Sequence, residues 1–327
     1  MNRVPLLHFG YGTLIRSTLL VLLATHTTAR RVTCHACINT TCYSRDLILR
    51  TAKFSGQLAI DRTSDIVYFH YQNKQRKDHT GAFDLDAVRF QVVPDLGFTF
   101  GHAVDQNTRD LYASGMTGIY RYNPETNTSE LYGLKDKTIW HLQYTDRLYY
   151  NEFKGRGIYT YTNRKTFVVP GTNYEIDDFI VDKNNDIYFM ANDTVYVLRN
   201  GTKTASVFEN EIYVMATDIN NEAYFAQTYT KGIYKIDYRT GRLVEYGAFR
   251  GTVVEFVFDS DNHIIYYDEK DKSIYYLSPT LNRCTVNTKN RGRSKLFSFV
   301  NSLAENDNNS KDVKIIAHDT NEMNAVV

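Results

Sequence analysis

The sequence predicts an all-β fold, a six-bladed β-propeller with four-stranded blades whose N-terminal strand closes the last blade. Three observations predict it. One unit recurs six times between residues 54 and 288, each copy carries signals for four short strands, and the chain is rich in strand-favouring aromatics (26 Tyr and 18 Phe against one Trp). Tyrosine suits a pleated surface because its ring packs while its hydroxyl reaches water or a polar partner. Six four-stranded units of roughly 40 residues are the signature of propeller blades. With 327 residues, 43% hydrophobic positions, five Pro and eighteen Gly, the chain can bury a large core and is not of low-complexity character.

Each unit opens with an apolar strand ending in Asp, passes a polar turn and enters a second strand rich in Tyr and Phe. The copies are Ala59-Ile60-Asp61 into Ile66-Val67-Tyr68-Phe69, Ala103-Val104-Asp105 into Asp110-Leu111-Tyr112, and Leu142-Gln143-Tyr144 into Leu148-Tyr149-Tyr150. Ile180-Val181-Asp182 into Ile187-Tyr188-Phe189, Ala216-Thr217-Asp218 into Ala223-Tyr224-Phe225, and Val257-Phe258-Asp259 into Ile264-Ile265-Tyr266-Tyr267 complete the set. The third copy lacks the Asp. Third strands follow, such as Gly118-Ile119-Tyr120, Gly157-Ile158-Tyr159 and Gly232-Ile233-Tyr234, then turns and a fourth strand such as Leu243-Val244-Glu245-Tyr246. The repeated Asp is expected to fix its hairpin by accepting backbone hydrogen bonds rather than to bind calcium.

The ends of the chain differ from the repeats. Residues 1–29 read as a signal peptide: Arg3 and Arg16, then the apolar run Leu19–Ala24, then the small residues Thr27-Thr28-Ala29. That run is shorter than the ~20 residues a membrane span needs. A cysteine-containing segment is expected over 30–45, the propeller over 46–288 and a polar, disordered tail over 289–327. Leu47-Ile48-Leu49-Arg50 matches a fourth strand yet precedes the first unit, so it is expected to join the last blade and remove two open sheet edges.

In an oxidising compartment four cysteines suggest two disulfides, and three pairings satisfy them. The expected one is Cys42–Cys284, which closes the long loop and restricts the unfolded chain most, with Cys34–Cys37 as a local pair. Asn39, Asn127, Asn192, Asn200 and Asn308 head Asn-x-Ser/Thr glycosylation triplets.

Balanced charge (38 basic, 37 acidic) predicts neither a nucleic-acid partner nor a polybasic membrane anchor. No Gly-x-Ser-x-Gly, phosphate loop or zinc-protease motif occurs, and no cofactor is expected. The starts of the first strands should surround the mouth of the central channel. Asp178 and Glu255 there offer two hard oxygen ligands for a metal, without the further carboxylates and amides calcium would need. Phe100, His102, Trp140, His141, Tyr213 and Phe256 are the expected ligand-binding set, walling a slot for a flat aromatic molecule. The plainer alternative makes Trp140 and Phe256 ordinary packing between blades.

Gly56-Gln57-Leu58-Ala59-Ile60-Asp61, Gly118-Ile119-Tyr120, Thr138-Ile139-Trp140-His141-Leu142 and Asp182-Lys183-Asn184-Asn185-Asp186-Ile187-Tyr188-Phe189 give the chain a look similar to the insect ommochrome-binding proteins. The resemblance spans roughly residues 44–288 and rests on distributed patterns. Those are secreted haemolymph proteins that carry ommochromes, polycyclic aromatic pigments derived from tryptophan. The resemblance implies a secreted, extracellular, non-enzymatic carrier binding an ommochrome-like planar pigment at the channel mouth, and assigns no residue to the ligand; a monomer is expected. The alternatives are a metal-dependent propeller hydrolase or lactonase centred on Asp178 and Glu255, and a secreted protein-interaction module.

Overall fold

The computed structural model describes residues 33–51, 53–227 and 231–284. The expected signal peptide, the expected tail and Asn308 lie outside the described residues. All regular structure within them is β-strand.

Two N-terminal strands, β1 (Ala36–Ile38) and β2 (Thr41–Arg50), precede the first blade. Blade 1 holds β3 (Ala59–Asp61), β4 (Ile66–Gln72), β5 (Asp78–Asp84) and β6 (Arg89–Val92). Blade 2 holds β7 (Thr99–Val104), β8 (Leu111–Gly115), β9 (Gly118–Asn123) and β10 (Thr128–Gly133). Blade 3 holds β11 (Ile139–Tyr144), β12 (Leu148–Glu152), β13 (Tyr159–Thr162) and β14 (Lys165–Val168). Blade 4 holds β15 (Asp178–Val181), β16 (Ile187–Ala191), β17 (Thr194–Leu198) and β18 (Ser206–Asn210). Blade 5 holds β19 (Val214–Thr217), β20 (Ala223–Ala226), β21 (Gly232–Asp237) and β22 (Arg242–Phe249). Blade 6 holds β23 (Val253–Phe258), β24 (Ile264–Asp268) and β25 (Ser273–Arg283), and takes its fourth strand from β2. Leu47 pairs with Tyr275 and Arg50 with Ser273 across that seam, which is the closure the sequence predicts.

One element was not foreseen. β1 folds back on β2 through Asn39-Thr40, both at positive φ, and also pairs with β22, Ala36 opposite Phe249. Blades 5 and 6 thereby become one nine-stranded sheet. The expected cysteine pairing is corrected for the same reason. The bridges are Cys34–Cys42 and Cys37–Cys284, with Cα separations of 5.3 and 6.0 Å. Reversal at Asn39-Thr40 turns Cys42 back toward Cys34. The end of β25 wraps the turn, Cys284 N donating to Thr40 O at 2.9 Å, and so meets Cys37 instead.

The repeated Asp residues do the hairpin work expected of them. Asp182 Oδ1 accepts from Asn184 N and Asp186 N, both at 2.9 Å. Asp218 and Asp259 repeat the pattern with Glu222 N at 2.8 Å and His263 N at 2.7 Å. Where blade 3 lacks the Asp, Tyr144 takes its position and stacks on Tyr112 of blade 2, centroids 5.3 Å apart. Most tyrosines are architecture of this kind: Tyr68, Tyr122, Tyr150, Tyr188, Tyr266 and Tyr267 are fully buried between blades. Asn39, Asn127, Asn192 and Asn200 all lie exposed on turns.

Candidate functional site at the channel mouth

The first strands of the blades line a central cavity of about 300 Å³. Its walls run from Gln57, His102, His141 and Glu255 at the strand starts to Arg62, Gln106, Asn107, Thr145 and Asn221 at the Asp hairpins. Arg62 straps the hairpin end, donating to Phe258 O at 3.0 Å and Thr217 O at 2.9 Å.

Three of the inner strands carry a bulge at equivalent positions. β7 skips Phe100 in its register with β8, β11 skips Trp140 against β12, and β23 skips Val254 against β24. A bulge inserts one unpaired residue and re-aims its neighbours. Here the extra residues stand at the mouth, while the residues that follow, Gly101, His141 and Glu255, resume the register. Of these, His141 and Glu255 line the cavity.

Phe100 and Trp140 are the centre of an aromatic ladder. Ring centroids are 4.5 Å apart for Phe98–Phe100, 4.9 Å for Phe100–Trp140 and 5.2 Å for Trp140–Phe153. Phe98, Phe100 and Trp140 are half-buried, and Phe153 is 47% exposed. Trp140 Nε1 donates to Asp177 O at 3.0 Å, which ties blade 3 to blade 4 and fixes the indole. Gly56, at φ +85°, lets the segment before blade 1 cross Phe100; a Cβ there would sit 1.9 Å from Phe100 O.

Inside the channel the key side chain is Gln57. Its Oε1 accepts from Leu142 N at 2.8 Å and His102 N at 3.2 Å, while Nε2 donates to Leu142 O at 2.9 Å and lies 2.5 Å from His141 Nε2. His141 Nε2 is also 2.8 Å from Asp178 Oδ1. That carboxylate oxygen is buried, and the His141 ring nitrogen is its near neighbour, so the two form a polar pair in the channel wall that a guest's N–H or O–H could meet. Glu255 completes the cluster. Burial pushes its carboxyl well above the usual carboxylate range, the charge of Asp178 acts in the same direction, and the Leu58 N–H opposes both.

The expected ligand-binding residues therefore separate into three places. Phe100 and Trp140 lie on the outer ladder, and His102 and His141 lie in the channel wall. Phe256 is fully buried beside Phe249 and Phe258, and Tyr213 is half-buried against the same core. His102 contributes no free nitrogen: Nδ1 is 2.9 Å from Gln57 O and Nε2 is 2.8 Å from Thr99 Oγ1. Alignment of the repeats puts Gln57 at the mouth, but the expected ligand-binding set takes only aromatic and imidazole rings and so omits it. Phe98 and Phe153 were missed because one precedes its strand and the other sits in a hairpin turn.

The metal reading does not fit. Among the described residues no group of three or more His, Cys, Asp and Glu could hold an ion. Calcium takes 6–8 oxygen ligands, and the amide oxygens next to His141 are committed to backbone N–H groups, that of Gln57 to Leu142 and His102 and that of Asn151 to His141.

A buried carboxyl held against its preference costs stability. Its folded pKa exceeds the unfolded value, so the cost is present at neutral pH and relieved as pH falls. Glu255→Gln is expected to raise stability at pH 7 by about 1 kcal/mol, read as a higher urea midpoint with unchanged m; a lower midpoint contradicts this.

No protein-family model matches the chain. The ommochrome-binding protein of Manduca sexta is 18% identical over 236 residues, covering 69% of this chain and 85% of the relative. Solved structures share the fold. A gluconolactonase from Xanthomonas campestris superposes with a TM-score of 0.55 at 11% identity, covering 78% of this chain and 94% of that one. The calcium-binding protein regucalcin from Agrobacterium tumefaciens gives 0.55 at 12%, covering 74% and 96%. A streptogramin B lyase gives 0.52 at 12%, covering 73% and 98%. At these identities the likeness is one of fold. It still corrects one expectation: that the chain is not an enzyme. That rested on the resemblance to a carrier family, and proteins named as a lactonase and a lyase are built on this same propeller.

Proposed function

We propose that the chain binds a planar aromatic small molecule of the ommochrome class at the channel mouth. The rings of the guest stack on the Phe98–Phe100–Trp140–Phe153 ladder, and its polar groups meet Asp178 and Glu255. The observation that carries this reading is the ladder itself, four rings in continuous contact across two blades and ending on exposed Phe153. Packing within the blades gives no reason to expose that phenylalanine, whereas an aromatic guest would cover it. The similarity to the Manduca sexta protein supports the ligand class. Two disulfides support a secreted, oxidising location.

Trp140→Ala is expected to weaken binding of xanthommatin, an ommochrome, by at least about fivefold, since ring stacking alone contributes ~1 kcal/mol beyond buried area. Visible absorbance of the pigment during titration measures it. Unchanged affinity contradicts the reading.

A second reading has one observation in its favour. Glu255, its carboxyl pushed up by burial and by the charge of Asp178, leans toward the character of a general acid for hydrolysis of a lactone or ester in the channel. Turnover of a lactone series by the purified protein, lost in Glu255→Gln, would support it over simple carriage.

A further inference from the structure

Ser55, His70 and Asp78 form a hydrogen-bonded chain that pigment binding leaves unused. Ser55 Oγ is 2.8 Å from His70 Nδ1, and His70 Nε2 is 3.1 Å from Asp78 Oδ1. A carboxylate oxygen only accepts, so Nε2 carries the ring proton and Nδ1 offers its lone pair to the serine hydroxyl. That is the tautomer a general base requires.

The local fold explains the alignment. In the long β4–β5 hairpin His70 pairs with Thr80 and Gln72 with Asp78, which brings the carboxylate to the imidazole. Phe54 bridges to Tyr71 and holds the preceding segment on β4, so Ser55 arrives beside His70. The imidazole is fully buried, whereas Ser55 keeps part of its surface free and the Asp78 side chain is 31% exposed. Burial lowers the His70 pKa against the attraction of Asp78, which favours the neutral base. The Phe98 ring, first rung of the aromatic ladder, stands edge-on to His70 with centroids 5.1 Å apart.

We infer that Ser55, His70 and Asp78 form a nucleophile, base and orienting carboxylate for acyl transfer from aryl esters, the aryl group docking on the adjoining ladder. The Ser55 proton passes to His70 Nδ1 as Oγ bonds the acyl carbon. The acyl C–O bond then breaks, and the Nδ1 proton passes to the departing aryl oxygen. Water repeats the sequence on the acyl-serine, releasing a carboxylic acid and restoring Ser55. Only the choice of an aryl leaving group rests on the pigment-binding reading.

The test is labelling of the full chain with an alkyl fluorophosphonate, followed by digestion and mass spectrometry. One adduct is expected, on the peptide containing Ser55, absent in Ser55→Ala and formed at least tenfold more slowly in Asp78→Asn. Hydrolysis of 4-nitrophenyl acetate should disappear with Ser55→Ala. Absence of the Ser55 adduct in the unmodified chain, wild-type labelling of Asp78→Asn, or retained hydrolysis in Ser55→Ala overturns the proposal. The decisive arm uses the unmodified chain, so no variant needs to fold for it. The probe has no aromatic ring, so its outcome is independent of whether xanthommatin binds.

Discussion

Removing the Cys37–Cys284 bridge as Cys37→Ser/Cys284→Ser is expected to lower stability by about 5 kcal/mol, twice the ~2.5 kcal/mol expected for Cys34→Ser/Cys42→Ser. The difference follows from loop length: the two bridges span 247 and 8 residues, and the longer loop restricts the unfolded chain more. The longer bridge also closes the seam where β2 completes blade 6 and β1 joins that blade to blade 5. Losing it frees the one junction of the ring that is not continuous in sequence. Paired replacements are required, because Cys34 Sγ lies 4.0 Å from Cys284 Sγ and a single serine would leave a thiol able to exchange. Urea midpoints of the two double variants check the ranking. Equal losses would show that the seam is held by strand pairing alone.

The second large effect is acid sensitivity from His102. The ring is 2% exposed, both its nitrogens are engaged within the protein, and burial pulls its pKa down to about 3. The unfolded ring titrates near 6.5. The folded value lies below the unfolded one, so the contribution is fully present above pH 6.5 and is lost as pH falls toward 3. By pH 5 the loss from this one residue is about 2 kcal/mol. His70, lowered by burial as well, adds in the same direction, while Glu255 acts in the opposite one. Comparing urea midpoints at pH 7, 6 and 5 for wild type and His102→Asn isolates the term. The variant should show a shallower pH slope whatever its absolute stability, and an unchanged slope would mean that His102 gains its proton without unfolding.

The fold was legible because its signals are local and repeated. Asp182-Lys183-Asn184-Asn185-Asp186 is a hairpin on sequence grounds alone, and six strand-turn-strand units at near-constant spacing, five of them with the Asp, point to a propeller. The seam was legible too, since Leu47–Arg50 had the pattern of a fourth strand with no blade of its own. The cysteine pairing was not. It depends on a two-residue reversal at Asn39-Thr40, and nothing in the spacing of Cys34, Cys37 and Cys42 distinguishes a straight segment from a hairpin.

The site was half legible. Trp140 and His141 stood out as rare residues at a strand start, but their division between mouth and channel is the work of a bulge. Bulges are set by how two strands pair, not by either strand's composition. For the same reason Phe256, two positions beyond the bulged Val254, belongs to the core between blades 5 and 6 and not to the surface with Phe100. Ser55, His70 and Asp78 are ordinary residues in sequence. Only the β4–β5 register and the Phe54 bridge assemble them.

The central claim, an aromatic guest on the ladder, is tested most directly by the fluorescence of Trp140, the sole tryptophan of the chain. Titration with xanthommatin should quench that emission saturably, with the midpoint matching the change in pigment absorbance. Saturable pigment binding that leaves Trp140 emission unchanged, or no binding at all, would contradict the account.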